Sequence, residues 1–181
     1  MKNQIMFEGQ IISEQEAIRI VKDCPEDLSR IKNQTEQVCL AAVKEDYRTL
    51  RFVENQVEGI FLEVIKESPY VLGYIENQTE EICLEAVRKQ GLTLKYVKNQ
   101  TEKICLEAVK NDPYALNYVK NQTEEICLAA VRQNGMVLRY VKNQTEQICL
   151  EAVKQDKYAA ICIDDEFKEI REKVKREKIL N

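Results

Sequence analysis

The chain has 181 residues, 44% of them hydrophobic, with 27 basic and 31 acidic side chains that leave a formal charge of −4. That length and apolar content suffice for a real core, while the slight acidity argues against a general nucleic-acid binder, whose affinity rests on net positive potential. The sequence contains no histidine, no apolar run near the ~18 residues of a membrane span, and no glycine-rich phosphate loop among its five glycines.

Residues 1–10, "MKNQIMFEGQ", read as a leader without an apolar core or a small-residue cleavage site. No signal peptide is expected, and a cytoplasmic location is the default. From residue 11 to residue 164 the chain repeats itself every 22 residues, with Asn33, Asn55, Asn77, Asn99, Asn121 and Asn143 marking the period. Residues 11–32 are a worn first copy, in which Ser13 takes the threonine place, Ile18 the leucine place, and Val21 matches. One repeat domain is expected over 1–181, with seven units, because a fixed period of this length marks a stacked array.

The unit 99–120, "NQTEKICLEAVKNDPYALNYVK", shows how each copy should fold. Thr101 is placed to cap a first helix by accepting a hydrogen bond from a free N–H of its first turn. Glu102 then meets the positive end of the helix dipole and Lys110 the negative end. Ile104, Cys105, Leu106, Ala108 and Val109 make that helix apolar around most of its circumference, as befits one lying between others. A second helix is expected from Asp112 and Pro113, proline being suited to the first helical position. Leu116 and Val119 give it an i, i+3 stripe, and Asn121 is expected to end it. Helices so short need neighbours to persist. The fold class is therefore all-α, an α-solenoid of about seven 22-residue helix-turn-helix repeats.

In this reading the Asn-Gln-Thr triplet is the joint between units, its polar side chains capping helix ends and bonding to adjacent joints. Asn33, Asn77, Asn99, Asn121 and Asn143 match the glycosylation sequon formally, but without a secretion signal the joint is the better reading. Cys39, Cys83, Cys105, Cys127 and Cys149 share one position of the repeat. Stacked helices lie ~10 Å apart, beyond the ~7 Å that a disulfide tolerates between Cα atoms. All seven thiols are expected to be reduced, the five in register acting as small buried hydrophobes. Without histidine or CxxC spacing, no metal site is expected.

Two unit types alternate: Pro25, Pro69 and Pro113 recur every 44 residues, with Gly91 and Gly135 between them. Two exposed places of the second helix vary while the core stays constant. One reads Arg51, Gly73, Lys95, Asn117, Arg139, Ile161; the other reads Arg48, Tyr70, Leu92, Tyr114, Met136, Tyr158. Unit 55–76 departs furthest from the pattern, losing Thr and Cys at Val57 and Phe61 and gaining Gly59 and Gly73. Arg48, Arg51, Tyr70, Gly73, Tyr74 and Lys95 are accordingly the candidate partner-binding residues, tyrosine and arginine being the side chains that anchor protein interfaces. The tail "DDEFKEIREKVKREKILN" carries Phe167, Ile170 and Val174 at helical spacing and reads as a capping helix over 165–181.

The "NQTEEICLxAV…YVK" unit resembles the short helical repeats grouped as a domain of unknown function, found in giant DNA viruses, bacteria and phages. The resemblance covers 33–164 strongly and 11–32 weakly. It implies a helical array and brings no catalytic residues. The first-turn carboxylate pairs Glu80/Glu81 and Glu124/Glu125 read as dipole partners, and neither catalytic residues nor a cofactor is expected. The expected function is a non-enzymatic scaffold for a protein partner. The alternatives are an inhibitor of a host defence complex and a nucleic-acid- or nucleotide-sequestering protein. The partner's identity and the oligomeric state stay open.

Overall fold

The computed structural model describes residues 4–54 and 58–179. It divides into two compact units, Met1–Glu85 and Ala86–Asn181. The first holds strands β1 (Met6–Phe7), β2 (Gln10–Ile11) and β3 (Ile31–Lys32), and helices α1 (Glu14–Asp23), α2 (Glu36–Glu45) and α3 (Glu58–Glu67). Six-residue 3₁₀ helices follow these: η1 (Pro25–Arg30), η2 (Tyr47–Phe52) and η3 (Pro69–Tyr74). Helix α4 (Glu80–Lys89) begins in the first unit and ends in the second. The second unit continues with η4 (Gly91–Tyr96), α5 (Glu102–Asn111), η5 (Pro113–Tyr118), α6 (Glu124–Val131), η6 (Gly135–Tyr140), α7 (Glu146–Gln155) and η7 (Lys157–Cys162). The short η8 (Asp165–Phe167) leads into α8 (Lys168–Ile179). The all-α repeat solenoid read from the sequence is the architecture observed.

The α-helices start where threonine predicts. Thr35, Thr101, Thr123 and Thr145 accept the N–H three residues on at 3.3–3.4 Å. The same hydroxyls donate to first-turn carboxylates of the preceding helix: Thr35 to Glu14 at 2.6 Å, Thr123 to Glu102 at 2.9 Å, Thr145 to Glu124 at 3.1 Å. Those acids therefore link neighbouring helices besides facing the dipole.

The second helix of each unit is 3₁₀ rather than α, and it stops early. Ala115 N–H bonds Asp112 O at 2.9 Å, and Val119 N–H bonds Leu116 O at 3.2 Å, so every bond reaches back three residues. Asp112 does cap it, accepting from Tyr114 N–H at 2.9 Å, and Pro113 does sit at its start. Val119 is already extended, so Asn121 lies beyond the helix end. Leu116 within the helix and Val119 just past its end are both buried.

The joint is held by glutamine, not asparagine. Gln122 Nε2 donates to the Leu116 carbonyl (3.2 Å) and to the Tyr140 carbonyl of the next 3₁₀ helix (2.8 Å). Its Oε1 accepts from Lys142 N–H (2.8 Å) and from the Cys127 thiol (3.8 Å). Gln34, Gln100 and Gln144 make the corresponding bonds in their own units: Nε2 to Phe52, Tyr118 and Cys162 carbonyls, and Oε1 to the N–H groups of Glu54, Lys120 and Asp164. Among the described residues no side-chain hydrogen bond forms at Asn99, Asn121 or Asn143, which are exposed. Of the triplet read as the joint, glutamine and threonine make these bonds, and the glutamine clamps the two backbones. The reason is geometric: the side chain must cross the joint to meet two backbones, and glutamine is one methylene longer. Gln56 and the Val57 substitution lie outside the described residues.

The alternation of proline and glycine has a backbone cause. Gly91 N–H donates to Asn111 Oδ1 at 2.7 Å, while Asn111 Nδ2 donates to the Arg88 carbonyl at 2.8 Å. Gly135 N–H likewise donates to Gln155 Oε1 at 2.6 Å, and Gln155 Nε2 to the Gln133 carbonyl at 3.1 Å. A Cβ on Gly91 or Gly135 would overlap the carbonyl oxygen of Ala108 or Ala152. Proline at 113 has no N–H to satisfy at that place. One slot, backed closely by the next helix, is filled in two ways.

Residues 4–10 of the leader are part of the fold. Phe7 and Gln10 flank a two-residue turn in which Glu8 and Gly9 both have positive φ (50° and 85°), as a type I′ hairpin requires. β3 adds to β1 antiparallel, giving the sheet order β2-β1-β3. Arg30 pairs with Glu8 and lies 4.9 Å from the Phe7 ring centroid. Asn33, at φ 56°, donates to the Gln4 carbonyl at 2.9 Å. The hairpin closes the start of the repeats, as α8 follows their end.

Candidate functional site

The repeat core occupies the α-helices and the inner line of each 3₁₀ helix, so the outer 3₁₀ face is where side chains are free to vary. In η3, Val71 and Leu72 are buried while Tyr70 is 43% and Tyr74 52% exposed. Gly73 is exposed between them. All three candidate residues of η3 are thus exposed.

The arginines of η2 are more committed. Arg48 binds Asp46 in fork geometry, Nε to Oδ1 and Oδ2 at 3.1 and 3.0 Å and Nη2 to Oδ2 at 2.8 Å. Asp46 also caps η2 by accepting Arg48 N–H at 2.9 Å. These bonds hold the Asp46 carboxyl below the usual carboxylate range and raise the Arg48 guanidinium, which also feels the nearby Tyr74. Arg51 lies 4.6 Å from the Phe52 ring centroid and 3.8 Å from Glu26. Arg48 and Arg51 remain exposed and charged. Lys95 belongs to the second unit, where its ammonium lies 4.7 Å from the Tyr96 ring centroid.

A second tyrosine row escaped the sequence reading. Tyr74, Tyr96, Tyr118 and Tyr140 occupy one position in four consecutive repeats, and the first three are exposed. The signal was the dipeptide Tyr-Val or Tyr-Ile before each joint. In the second unit Tyr114 meets Tyr140 edge-on at 6.3 Å and its hydroxyl accepts from Asn134 Nδ2 at 3.1 Å. Such pairing stiffens the aromatic face without burying it.

The in-register cysteines are buried rather than poised to react. All seven are free; Cys39, Cys83, Cys105, Cys127 and Cys149 are buried, and Cys24 is exposed. Burial pushes the thiols of Cys39, Cys83, Cys127 and Cys149 up to about 11, the direction opposite to a nucleophile's. Among the described residues no group of three or more metal-ligating side chains is poised to hold an ion. No helix among them is long and apolar enough to cross a membrane.

Residues 79–123, 101–145 and 123–168 each match the model of a family described as a domain of unknown function (DUF4116), together just under half of the chain. The matched windows advance by one repeat and span about two, so the family unit is a pair of repeats taken in either phase. Neither a curated protein nor a solved structure matches the chain. What this chain is similar to is therefore a helical repeat family without an assigned function.

Proposed function

We propose that the chain is a non-enzymatic, cytoplasmic scaffold that binds a protein partner through the outer face of its 3₁₀ helices. In the first unit the residues proposed are Arg48, Arg51, Tyr70, Gly73 and Tyr74; in the second unit, by itself, it is Lys95 on η4. The observation that carries the reading is the exposure of Tyr70 and Tyr74 on a helix whose other side chains, Val71 and Leu72, complete the core. Large, stiff aromatics left in water on a rigid support are what interfaces use as anchors. The alternation of fixed inner and variable outer positions suits a surface that can be retuned without loss of fold.

The test is capture of the partner on the tagged chain, with Gly73→Arg as the contrast and circular dichroism as the folding control. Arginine at an exposed helical position is a better helix former than glycine, so the fold should survive while a backbone approaching at Gly73 is displaced. Capture is expected to persist when salt is raised, because an aromatic-centred interface depends little on counterion release. A loss of capture that tracks salt steeply would instead indicate phosphate contacts. Unchanged capture by Gly73→Arg would move the site off η3.

A further inference from the structure

The last repeat is not covered as the others are. In α5 and α6 the valines Val109 and Val131 are fully buried. Their counterpart in α7, Val153, is only half-buried, and Leu150 is 48% exposed. The cause is α8, which follows α7 but packs more against η7 than against α7 itself. Between α7 and α8 it leaves a groove of about 1000 Å³ floored by Leu150, Val153, Ile170 and Val174.

The rim of this groove carries more cations than acids. Within the array, a cation near the end of one helix bonds a glutamate of the next: Lys44 to Glu63 at 3.0 Å, Arg88 to Glu107 at 2.9 Å, Arg132 to Glu151 at 3.1 Å. The pairing is not general: the residue in register for Lys110 is Ala129, and Lys110 reaches Glu107 of its own helix at 3.5 Å, while the residue in register for Lys154 is Lys173. Among the described residues Lys154 reaches only Glu151 of its own helix, at 3.9 Å. Lys157 and Arg176 add to the positive rim, against Glu146 and Glu169. The groove therefore offers an apolar floor under an excess of cations.

We infer that this groove docks an amphipathic helix of an acidic partner, seated as the next repeat's helix would be. Its apolar stripe covers Leu150 and Val153, and its carboxylates face the cations of the rim, Lys154, Lys157, Lys173 and Arg176. A helix of about 10 residues, ~15 Å long, matches the length of α7. A second copy of this chain is a poor occupant. Stacking its α1 in repeat register would bring Arg19, which holds the place of Glu107 and Glu151, against Lys154. The site is distinct from the 3₁₀ face and does not depend on it.

The probe is a fluorescein-labelled, helix-stapled peptide of about 14 residues with leucines at i, i+3 and i+7 flanked by glutamates, compared with its lysine-for-glutamate mirror. Fluorescence anisotropy with the full chain should show saturable binding of the acidic peptide and at least about tenfold weaker binding of the basic one. Leu150→Asp should abolish binding with the circular dichroism spectrum unchanged, since that side chain is half in water. Lys154→Glu with Lys173→Glu should reverse the preference between the two peptides, which a merely apolar groove would not do. Equal binding of both peptides, no binding, or binding indifferent to Leu150→Asp would each overturn the inference. Competition by an oligothymidylate would reassign the rim to a polyanion, and self-association lost in Leu150→Asp would assign the groove to a second copy. Tyr70→Ala should leave peptide binding unaltered, so failure here and failure of the 3₁₀-face reading are separable.

Discussion

Replacing Gln122 with alanine tests the joint that makes the repeats a single stack within the second unit. The amide makes three conventional hydrogen bonds, two donated to the Leu116 and Tyr140 carbonyls and one accepted from Lys142 N–H, at 3.2, 2.8 and 2.8 Å. Each contributes about 0.5–1.5 kcal/mol net. Gln122 is half-buried, so water can recover part of the loss. The expected destabilisation is about 2–4 kcal/mol. Asn121→Ala, one residue away and exposed, should stay within about 0.5 kcal/mol of the parent. Because arrays open in parts, hydrogen exchange of the Lys142 amide is the sharpest assay, with urea unfolding beside it. Protection at Lys142 should fall in Gln122→Ala and persist in Asn121→Ala. Gln122→Glu separates the two halves of the clamp: it keeps the acceptor for Lys142 but sets a carboxylate against two carbonyl oxygens. Equal effects of the two alanine variants, or a Gln122→Ala change below about 0.5 kcal/mol, would refute the clamp.

Gly135→Ala should destabilise strongly in urea unfolding, because its Cβ would overlap the Ala152 carbonyl oxygen, a backbone atom held in α7. Gly59→Ala should instead be neutral or stabilise by up to about 1 kcal/mol, since its Cβ meets only the flexible Glu36 carboxylate at 3.4 Å. Thiol titration of the native chain should modify the exposed Cys24 quickly and leave the five buried, in-register cysteines until denaturant is added. Those thiols also set an alkaline limit. Their folded values lie near about 11 and above the unfolded one, so their stabilisation is complete below the unfolded value of ~8.5 and is lost as pH rises towards about 11. The urea midpoint should fall over that window, and less steeply in Cys127→Ala; an unchanged slope would contradict the assignment.

Much of the fold was legible because the 22-residue period repeats the same physics in every copy. Threonine caps, a terminal base and an apolar first helix can each be read from one unit and checked in the next. The 3₁₀ character of the second helix was hidden, because Leu116 and Val119 at i, i+3 suit a short α-helix equally well. Asparagine and glutamine recur together at each joint, so periodicity alone cannot say which amide reaches across it. The alternation of Pro113 with Gly91 and Gly135 was visible, but its cause lies in a carbonyl and an amide of the following helix. The hairpin was missed because Glu8-Gly9 is a weak turn signal between strands of two residues.

The candidate face was legible to a lesser degree. Tyr70 and Gly73 were found from the variability of their repeat positions, and both are exposed, as is Tyr74. The fork between Arg48 and Asp46 could not be read, because a cap residue two positions earlier gives no sign of binding a side chain as well. The Tyr96 and Tyr118 row shares its residue type with the inner stripe's edge, and only exposure distinguishes the two. The groove beside α7 was not legible, since it arises from where α8 packs rather than from any motif.

The most direct test of the binding reading is titration calorimetry of the captured partner against the parent chain, Tyr70→Ala and Tyr158→Ala. Tyr70→Ala should weaken binding by about 2 kcal/mol, roughly thirtyfold, as expected of an interface anchor. Tyr158, the same repeat position in η7 and also exposed, should be replaceable without effect. Equal losses from both variants, or none from Tyr70→Ala, would contradict it.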